Sequence, residues 1–203
     1  MLAIESKFFG VRESVVLPNG SNVRIWRRSS TLLMETIIRE EIQPYWSAYQ
    51  PKHGEFHLDI GAQLGSYSLL ASTSGAGVFA FEPDPNNRRF LVRNIKGNNA
   101  NVQTFDCGAW NKPAILNFRS HDALSSIQGI GMVPSTLPFL QKINVDTIDN
   151  LVRRFSIKKV DVIKMDIEGA EIEAVEGARE TIMQHNPVLL IEAYHLRECL
   201  KTH

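Results

Sequence analysis

From Glu55 onward the chain alternates short apolar runs with longer amphipathic stretches, and that alternation leaves few folds open. Phe56-His57-Leu58-Asp59-Ile60 reads as a strand, followed by a helix through Tyr67, Leu69 and Leu70. Val78-Phe79-Ala80-Phe81 is a second strand, Pro85 to Lys96 a second helix, and Val102-Gln103-Thr104-Phe105 a third strand. Val160 to Met165 is expected as a fourth strand and Val188-Leu189-Leu190-Ile191 as a fifth. Between them, residues 169 to 185 are expected to form a helix with Ile172, Val175 and Ile182 on one side. Strands and helices in this order build βαβ units, and hence an α/β fold whose mostly parallel sheet carries helices on both faces.

The rest of the chain departs from this rhythm. Val15-Val16-Leu17 and Val23-Arg24-Ile25-Trp26 flank Pro18-Asn19-Gly20-Ser21, two β-prone runs about an Asn-Gly turn that predict a hairpin. Leu33, Ile37, Ile38 and Ile42 recur at helical spacing, and Pro44 ends that helix or begins a new turn. Residues 1–50 are thus read as a hairpin and helix arm, and residues 51–203 as the α/β domain. Residues 114 to 118 are a further β-prone run. Residues 123 to 140 carry no charge but hold Gly129, Gly131, Pro134 and Pro138, which predicts a long loop beside the site.

Composition narrows the function. Lys+Arg and Asp+Glu both number 22, and a net charge of zero argues against a general nucleic-acid grip. Cys107 and Cys199 form no CxxC and have no His cluster beside them, so neither a zinc site nor a disulfide framework is indicated, and a reducing cytoplasm is the expected compartment. No signal peptide is expected from the first residues, and the uncharged stretch 60 to 81 has too many Gly, Ser and Gln to span a membrane.

The chemistry concentrates at Asp59-Ile60-Gly61-Ala62-Gln63-Leu64-Gly65, where a strand turns into a helix. Gly61 permits a tight turn and close ligand approach, Gly65 close packing of helix on strand, and Asp59 places an acceptor at the carboxyl edge of the sheet. Glu82 ends the second strand 17 residues after Gly65, where a carboxylate takes both hydroxyls of a ribose. The spacing D-x-G-x-x-x-G differs from the G-x-G-x-x-G of dinucleotide sites, so a ribose ligand without a pyrophosphate fits better. An NAD-dependent oxidoreductase is the weaker enzyme alternative.

Leu58 to Ser68, Phe81-Glu82-Pro83-Asp84-Pro85, Val145-Asp146-Thr147-Ile148-Asp149 and Val162 to Glu171 occur in the order found in the FkbM family of S-adenosylmethionine-dependent methyltransferases, which the chain resembles from about residue 55 to 192. The resemblance implies a Rossmann-like class I methyltransferase sheet with S-adenosylmethionine as cofactor. It implies that Asp59, Gly61, Ala62, Gln63, Gly65 and Tyr67 cradle the methionine end, that Glu82 beside Pro83 holds the ribose, and that Asp106 and Cys107 flank the adenine. It also implies oxygen as the acceptor atom, on a small molecule, sugar or lipid. Gln63 stands where the family usually has Asn, one methylene longer.

Lys164, Asp166 and Glu168 alternate at a strand end and are expected to share one face, where they would supply the base for an acceptor hydroxyl. Glu168 alternatively caps the helix that starts near Gly169. His57, His195 and Glu192 fall at the same edge as secondary candidates. Trp110 and Tyr67 either line the pocket or sit in the core. The chain has eleven residues after Glu192, where this fold normally adds a helix and a hairpin, so the C-terminal hairpin is expected to be missing. The apolar fifth strand would then be an open edge, covered by the last residues or paired across a homodimer. A methyltransferase fold that binds cofactor without turnover, acting through a partner, is the non-enzyme alternative.

Overall fold

The computed structural model describes residues 10–28, 34–119, 126–127 and 140–192. The Asn19-Gly20 turn closes an antiparallel hairpin of β1 (Gly10–Val16) and β2 (Asn22–Arg28), with Val16 opposite Asn22. Asn19 Oδ1 accepts from Ser21 N, and its Nδ2 donates to Thr73 Oγ1 and Ser74 Oγ, both at 2.9 Å, pinning the hairpin tip to the sheet domain. The arm helix follows as α1 (Met34–Ile37), a π-helical segment Ile38–Ile42, and α2 (Gln43–Ala48). Pro44 does not end it. The proline sits in the first turn of α2, where its missing N–H is tolerated, and the wider π turn lies directly before it.

The central sheet is parallel. Its strands are β3 (Phe56–Ile60), β4 (Gly77–Phe81) and β5 (Val102–Phe105), joined by α3 (Ser66–Thr73) and α4 (Pro85–Gly97), then β10 (Val162–Met165) and β11 (Val188–Ile191). Their spatial order is β11-β10-β3-β4-β5. The chain therefore winds outward from β3 on one side and from β10 on the other, and the crevice at the carboxyl ends of these two strands is the topological switch point where such sheets bind ligands.

Strand pleating divides the core in two. Leu58, Ile60, Phe81, Ile163 and Met165 face one layer, with Ile148, Leu151 and Ala174. Val78, Ala80 and Val162 face the other, which also holds Leu69, Leu91 and the arm residues Leu17, Ile25, Met34, Ile37 and Tyr45. Hairpin and arm helix thus share a hydrophobic cluster with the sheet domain. At Gly65 the close packing is between helices rather than of helix on strand, because a Cβ there would stand 2.7 Å from Leu91 Cδ1 of α4.

Helix α4 also closes the free edge of β2. Asn94 Oδ1 accepts from Trp26 N at 2.6 Å while its Nδ2 donates to Trp26 O at 3.0 Å and Leu64 O at 2.9 Å. One turn on, Asn98 Oδ1 accepts from Arg24 N at 2.9 Å and Nδ2 donates to Arg24 O at 2.7 Å. Two side-chain amides at i and i+4 thereby take the hydrogen bonds that a neighbouring strand would take.

Two expectations need correction. Strands between residues 108 and 146 build a second sheet rather than a strand and a loop: β6 (Gly108–Ala109), β7 (Ala114–Arg119), β8 (Ser126–Ile127) and β9 (Leu140–Asp146), in the order β6-β9-β7-β8. Ser126 and Ile127 of the expected loop pair with Arg119 and Phe118, and the rest of that stretch lies outside the described residues. The helix expected over 169 to 185 is two: α6 (Glu171–Glu176) and α7 (Arg179–His185). Asp149, on α5 (Ile148–Arg154), breaks it: its N–H donates to Gly177 O, and its carboxylate accepts from Glu180 N, Thr181 N and Thr181 Oγ1, capping α7 from outside. Ile172 is consequently 54% exposed, whereas Val175 and Ile182 pack on the core.

At the sheet edge, β11 exposes Val188 and Leu189. The segment expected to cover it, and His195, lie outside the described residues. Among the described residues no helix is long and apolar enough to cross a membrane, and no cluster of three His, Cys, Asp or Glu side chains is placed to hold a metal.

Candidate active site

The turn after β3 is fixed by backbone contact before any ligand enters. Gly61 N and Ala62 N both donate to Phe81 O at the end of β4. A Cβ on Gly61, whose φ is +76°, would lie 2.0 Å from Asp166 O, so the close approach that demands glycine here is to the β10 turn. Gln63 follows with φ +50° and directs its N–H to Glu82 Oε2 at 2.8 Å. Glu82 Oε1 accepts from Asp84 N at 2.8 Å. The carboxylate is 5% exposed. Burial pushes its pKa up to about 7 against the pull of the two amides.

Beside Glu82 opens a cavity with about 660 Å³ of space between atoms, part of it continuous with solvent. Gly61, Gln63, Glu82, Pro83 and Asn87 line it, together with Asp166, Ile167, Glu168 and Ala170. Gly108 and Ala109 of β6, with Phe118, Ile143 and Val145 of the second sheet, close the apolar side. These second-sheet residues were missed in the sequence. The signal existed in the alternation of Lys142, Ile143, Asn144 and Val145, which was masked by the adjoining Gly- and Pro-rich stretch.

A second, smaller cavity lies across the Gly61–Gln63 turn, lined by Glu41 and Tyr45 of the arm, by Ala62, Ser66 and Tyr67, and by Lys164 and Asp166. Asp166 thus borders both spaces. Ser66, 6% exposed, has its Oγ buried there without a hydrogen-bond partner. Tyr45 OH donates to Glu192 Oε2 at 2.8 Å, bridging arm and β11. Burial first, then the Asp166 charge, raises the pKa of Glu41 to about 7 and shifts Glu192 upward as well.

Lys164, Asp166 and Glu168 do not share a face, because the pleat ends at Met165. Lys164 turns into the second cavity, where its Nζ donates to Gly61 O at 3.0 Å and pairs with Asp59 at 3.2 Å. Burial works against its ammonium, but Asp59 and Asp166 outweigh burial and hold its pKa above the usual lysine value. Asp59, fully buried, also accepts from Ser68 Oγ at 2.6 Å. Glu168 lines only the main cavity, from a left-handed backbone at φ +56°. Burial and the neighbouring Asp166 raise its pKa to about 8. Glu171 braces the turn before α6, its Oε1 and Oε2 accepting from Ile167 N and Gly169 N, each at 3.0 Å.

Other expected residues stand apart from both cavities. Asp106 pairs with Arg88 at 2.8 Å, and Cys107 packs in the core, its thiol pKa pushed up to about 11 by burial. Trp110 packs beside Phe118, Ile143 and Val145. His57 is fully buried between Glu55 and Tyr67, with Nε2 3.0 Å from Glu55 Oε2 and Nδ1 3.0 Å from Tyr67 OH. The carboxylate fixes the proton on Nε2, leaving Nδ1 to accept from the tyrosine.

A doubly wound parallel sheet, a ligand crevice at its switch point, and a buried acid closing the second strand define a Rossmann-like protein of the nucleoside-binding class. The Methyltransferase FkbM domain matches residues 59–200, and the chain belongs to that family. A relative from Haloferax volcanii, hexuronic acid methyltransferase AglP, is 27% identical over 132 residues, which cover 65% of this chain and 53% of the relative. The chain therefore spans about half the length of the curated relative it matches. Among solved structures, a Pyrococcus abyssi tRNA (uracil-54, C5)-methyltransferase in complex with S-adenosyl-L-homocysteine aligns over 95% of this chain and 37% of its own, at 11% identity and a TM-score of 0.49. The C-terminal domain of a Rhodobacter capsulatus precorrin-6Y C5,15-methyltransferase aligns over 78% of this chain and 59% of its own, at 12% identity and a TM-score of 0.41.

Proposed function

We propose that the protein transfers the methyl group of S-adenosylmethionine to a sugar hydroxyl. The observation that carries the donor half is the buried Glu82 carboxylate at the end of β4, held by two backbone amides and facing a cavity at the switch point. Each carboxylate oxygen keeps a further lone pair for a ribose hydroxyl. Pro83, Gly108 and Ala109 offer a flat apolar ledge for the adenine, and Gly108 leaves room because a Cβ there would crowd Val145 at 3.1 Å. Ser66 Oγ, unpartnered in the second cavity, suits the carboxylate of an amino-acid end, and the Glu41 carboxylate its ammonium. These residues fit the cofactor. When bound, it supplies a methyl group already activated by a sulfonium.

The protein's remaining task is alignment and removal of one proton. Asp166, on the border of both cavities, is assigned to accept the proton from the acceptor hydroxyl. Glu168, with a pKa of about 8, keeps its own proton at neutral pH and presents a hydrogen-bond donor to the acceptor. Lys164 and Glu171 are positioning residues: one ties β10 to the Gly61 turn, the other holds the 167–169 turn. The sugar acceptor is supported by the Haloferax relative, a hexuronic acid methyltransferase.

The test pairs a binding and a turnover measurement. Calorimetry should show S-adenosylhomocysteine binding that Glu82→Ala weakens by about 1.5–3 kcal/mol, the loss of charge-assisted hydrogen bonds. Asp166→Asn should keep that affinity while methyl transfer to uronic-acid oligosaccharides falls. Unaltered affinity in Glu82→Ala would remove the donor assignment, and equal loss of binding in Asp166→Asn would make Asp166 a donor contact instead.

A further inference from the structure

The hairpin and α4 together present a continuous band of cations. Arg24, Trp26 and Arg28 alternate on one side of β2, and the strand register sets Arg12 opposite Trp26. Arg93 of α4 lies 3.4 Å from the centre of the Trp26 ring, and Arg12 5.8 Å from it. Arg24 Nη2 donates to Gly97 O at 3.4 Å, next to Lys96. At the upper end Arg28 comes close enough to Arg89 that its charge, after burial, lowers the Arg89 pKa. Arg12, Arg24, Arg93 and Lys96 are exposed. Two carboxylates adjoin the band and both are engaged elsewhere: Glu13 turns to Arg27, and Asp84 caps α4 and accepts from Gln141 Nε2. In a chain whose 22 basic and 22 acidic residues cancel, this segregation gives one face a positive potential.

The band's upper end lies near the main cavity, since Arg89 feels the charge of Asp84, whose N–H donates to the cavity-lining Glu82. Asn87 of α4 lines that cavity, and at 1.5 Å per residue Arg93 lies about 9 Å and Lys96 about 14 Å further along the helix axis. A molecule long enough to extend from the cavity past Asp84 therefore comes within reach of this band. We propose that the band around Trp26 docks the anionic part of the acceptor, a carboxylated uronic-acid oligosaccharide whose reacting unit occupies the cavity. The proposal rests on the sugar-acceptor reading above and extends it to the charge and length of the acceptor. Guanidinium groups suit this role because each offers paired donors to a carboxylate.

The probe is trigalacturonic acid, titrated calorimetrically into protein saturated with S-adenosylhomocysteine, with maltotriose as the neutral control. Trigalacturonate should bind, weaken as salt rises, and lose at least about tenfold in affinity in Arg24→Glu/Arg93→Glu, while maltotriose shows no comparable binding. Because Arg93 stacks on Trp26, Arg12→Glu/Lys96→Glu serves as a second variant, and unchanged S-adenosylhomocysteine affinity reports that each variant is folded. Absent trigalacturonate binding, equal binding of maltotriose, or equal affinity in both folded variants would overturn the proposal. So would a short DNA duplex that binds more tightly and is lost in the same variants. Failure of the parent protein to bind S-adenosylhomocysteine would strike the donor reading instead, which keeps the two failures distinct.

Discussion

Glu82 turns donor affinity into a function of pH, and the size of the effect follows from its surroundings. Burial raises its pKa to about 7, so about one-tenth of the groups are ionised at pH 6 and about nine-tenths at pH 8. Ribose hydroxyls donate to the carboxylate, so the ligand binds the ionised form and releases a proton as it binds. Affinity for S-adenosylhomocysteine should then rise about tenfold from pH 6 to pH 8 and level off above. Glu41 and Glu168, with pKa values of about 7 and about 8, titrate in the same window, and burial shifts Glu192 upward as well. Glu82→Gln cannot ionise but keeps those three groups, so the informative quantity is the ratio of parent to variant affinity at each pH. Calorimetric titrations at pH 6, 7 and 8 should show that ratio growing about tenfold. A ratio that stays constant, whatever its size, would refute the argument.

Three substitutions probe the framework. Asn94→Ala leaves Trp26 N, Trp26 O and Leu64 O without their partner and should cost about 2–4 kcal/mol in urea denaturation; Gly61→Ala drives a Cβ to 2.0 Å from Asp166 O at a positive φ and should destabilise by about 3 kcal/mol or more, read as a lowered Tm. Glu171→Ala frees Ile167 N and Gly169 N, costs about 2 kcal/mol, and should lower kcat more than it lowers donor affinity, since the Glu168 turn relaxes.

The parallel sheet was legible because its strands are short apolar runs bounded by turns, and the places of Gly61 and Glu82 beside the cavity because both fall at strand ends of the switch point; Asp59, expected beside them, lines neither cavity and is tied instead to Lys164 and Ser68. Gly61, expected at a tight turn open to a ligand, lines both cavities, and the structure adds a constraint the sequence could not show: the Asp166 backbone, over a hundred residues away, leaves no room for a Cβ there. The second sheet escaped because its strands are separated by a Gly- and Pro-rich stretch that reads as loop. The break between α6 and α7 escaped because its cause, Asp149, lies on another helix. The arm's share of the site, Glu41 and Tyr45, could not be found from local pattern, since helical periodicity says which side is apolar but not which distant acid a tyrosine will meet. Lys164, Asp166 and Glu168 were misjudged as one row because alternation was extended beyond the last paired residue of β10.

The asparagine pair on α4 also sets a timetable for synthesis. The hairpin is translated first, yet the amides that occupy the edge of β2 belong to positions 68 and 74 residues later. At the ribosome's 5–20 residues per second, that edge waits about 4–15 s for its partner. During that interval the nascent chain carries an unpaired strand, and the arginines at Arg12, Arg24 and Arg28 are what discourage another hairpin from adding to it.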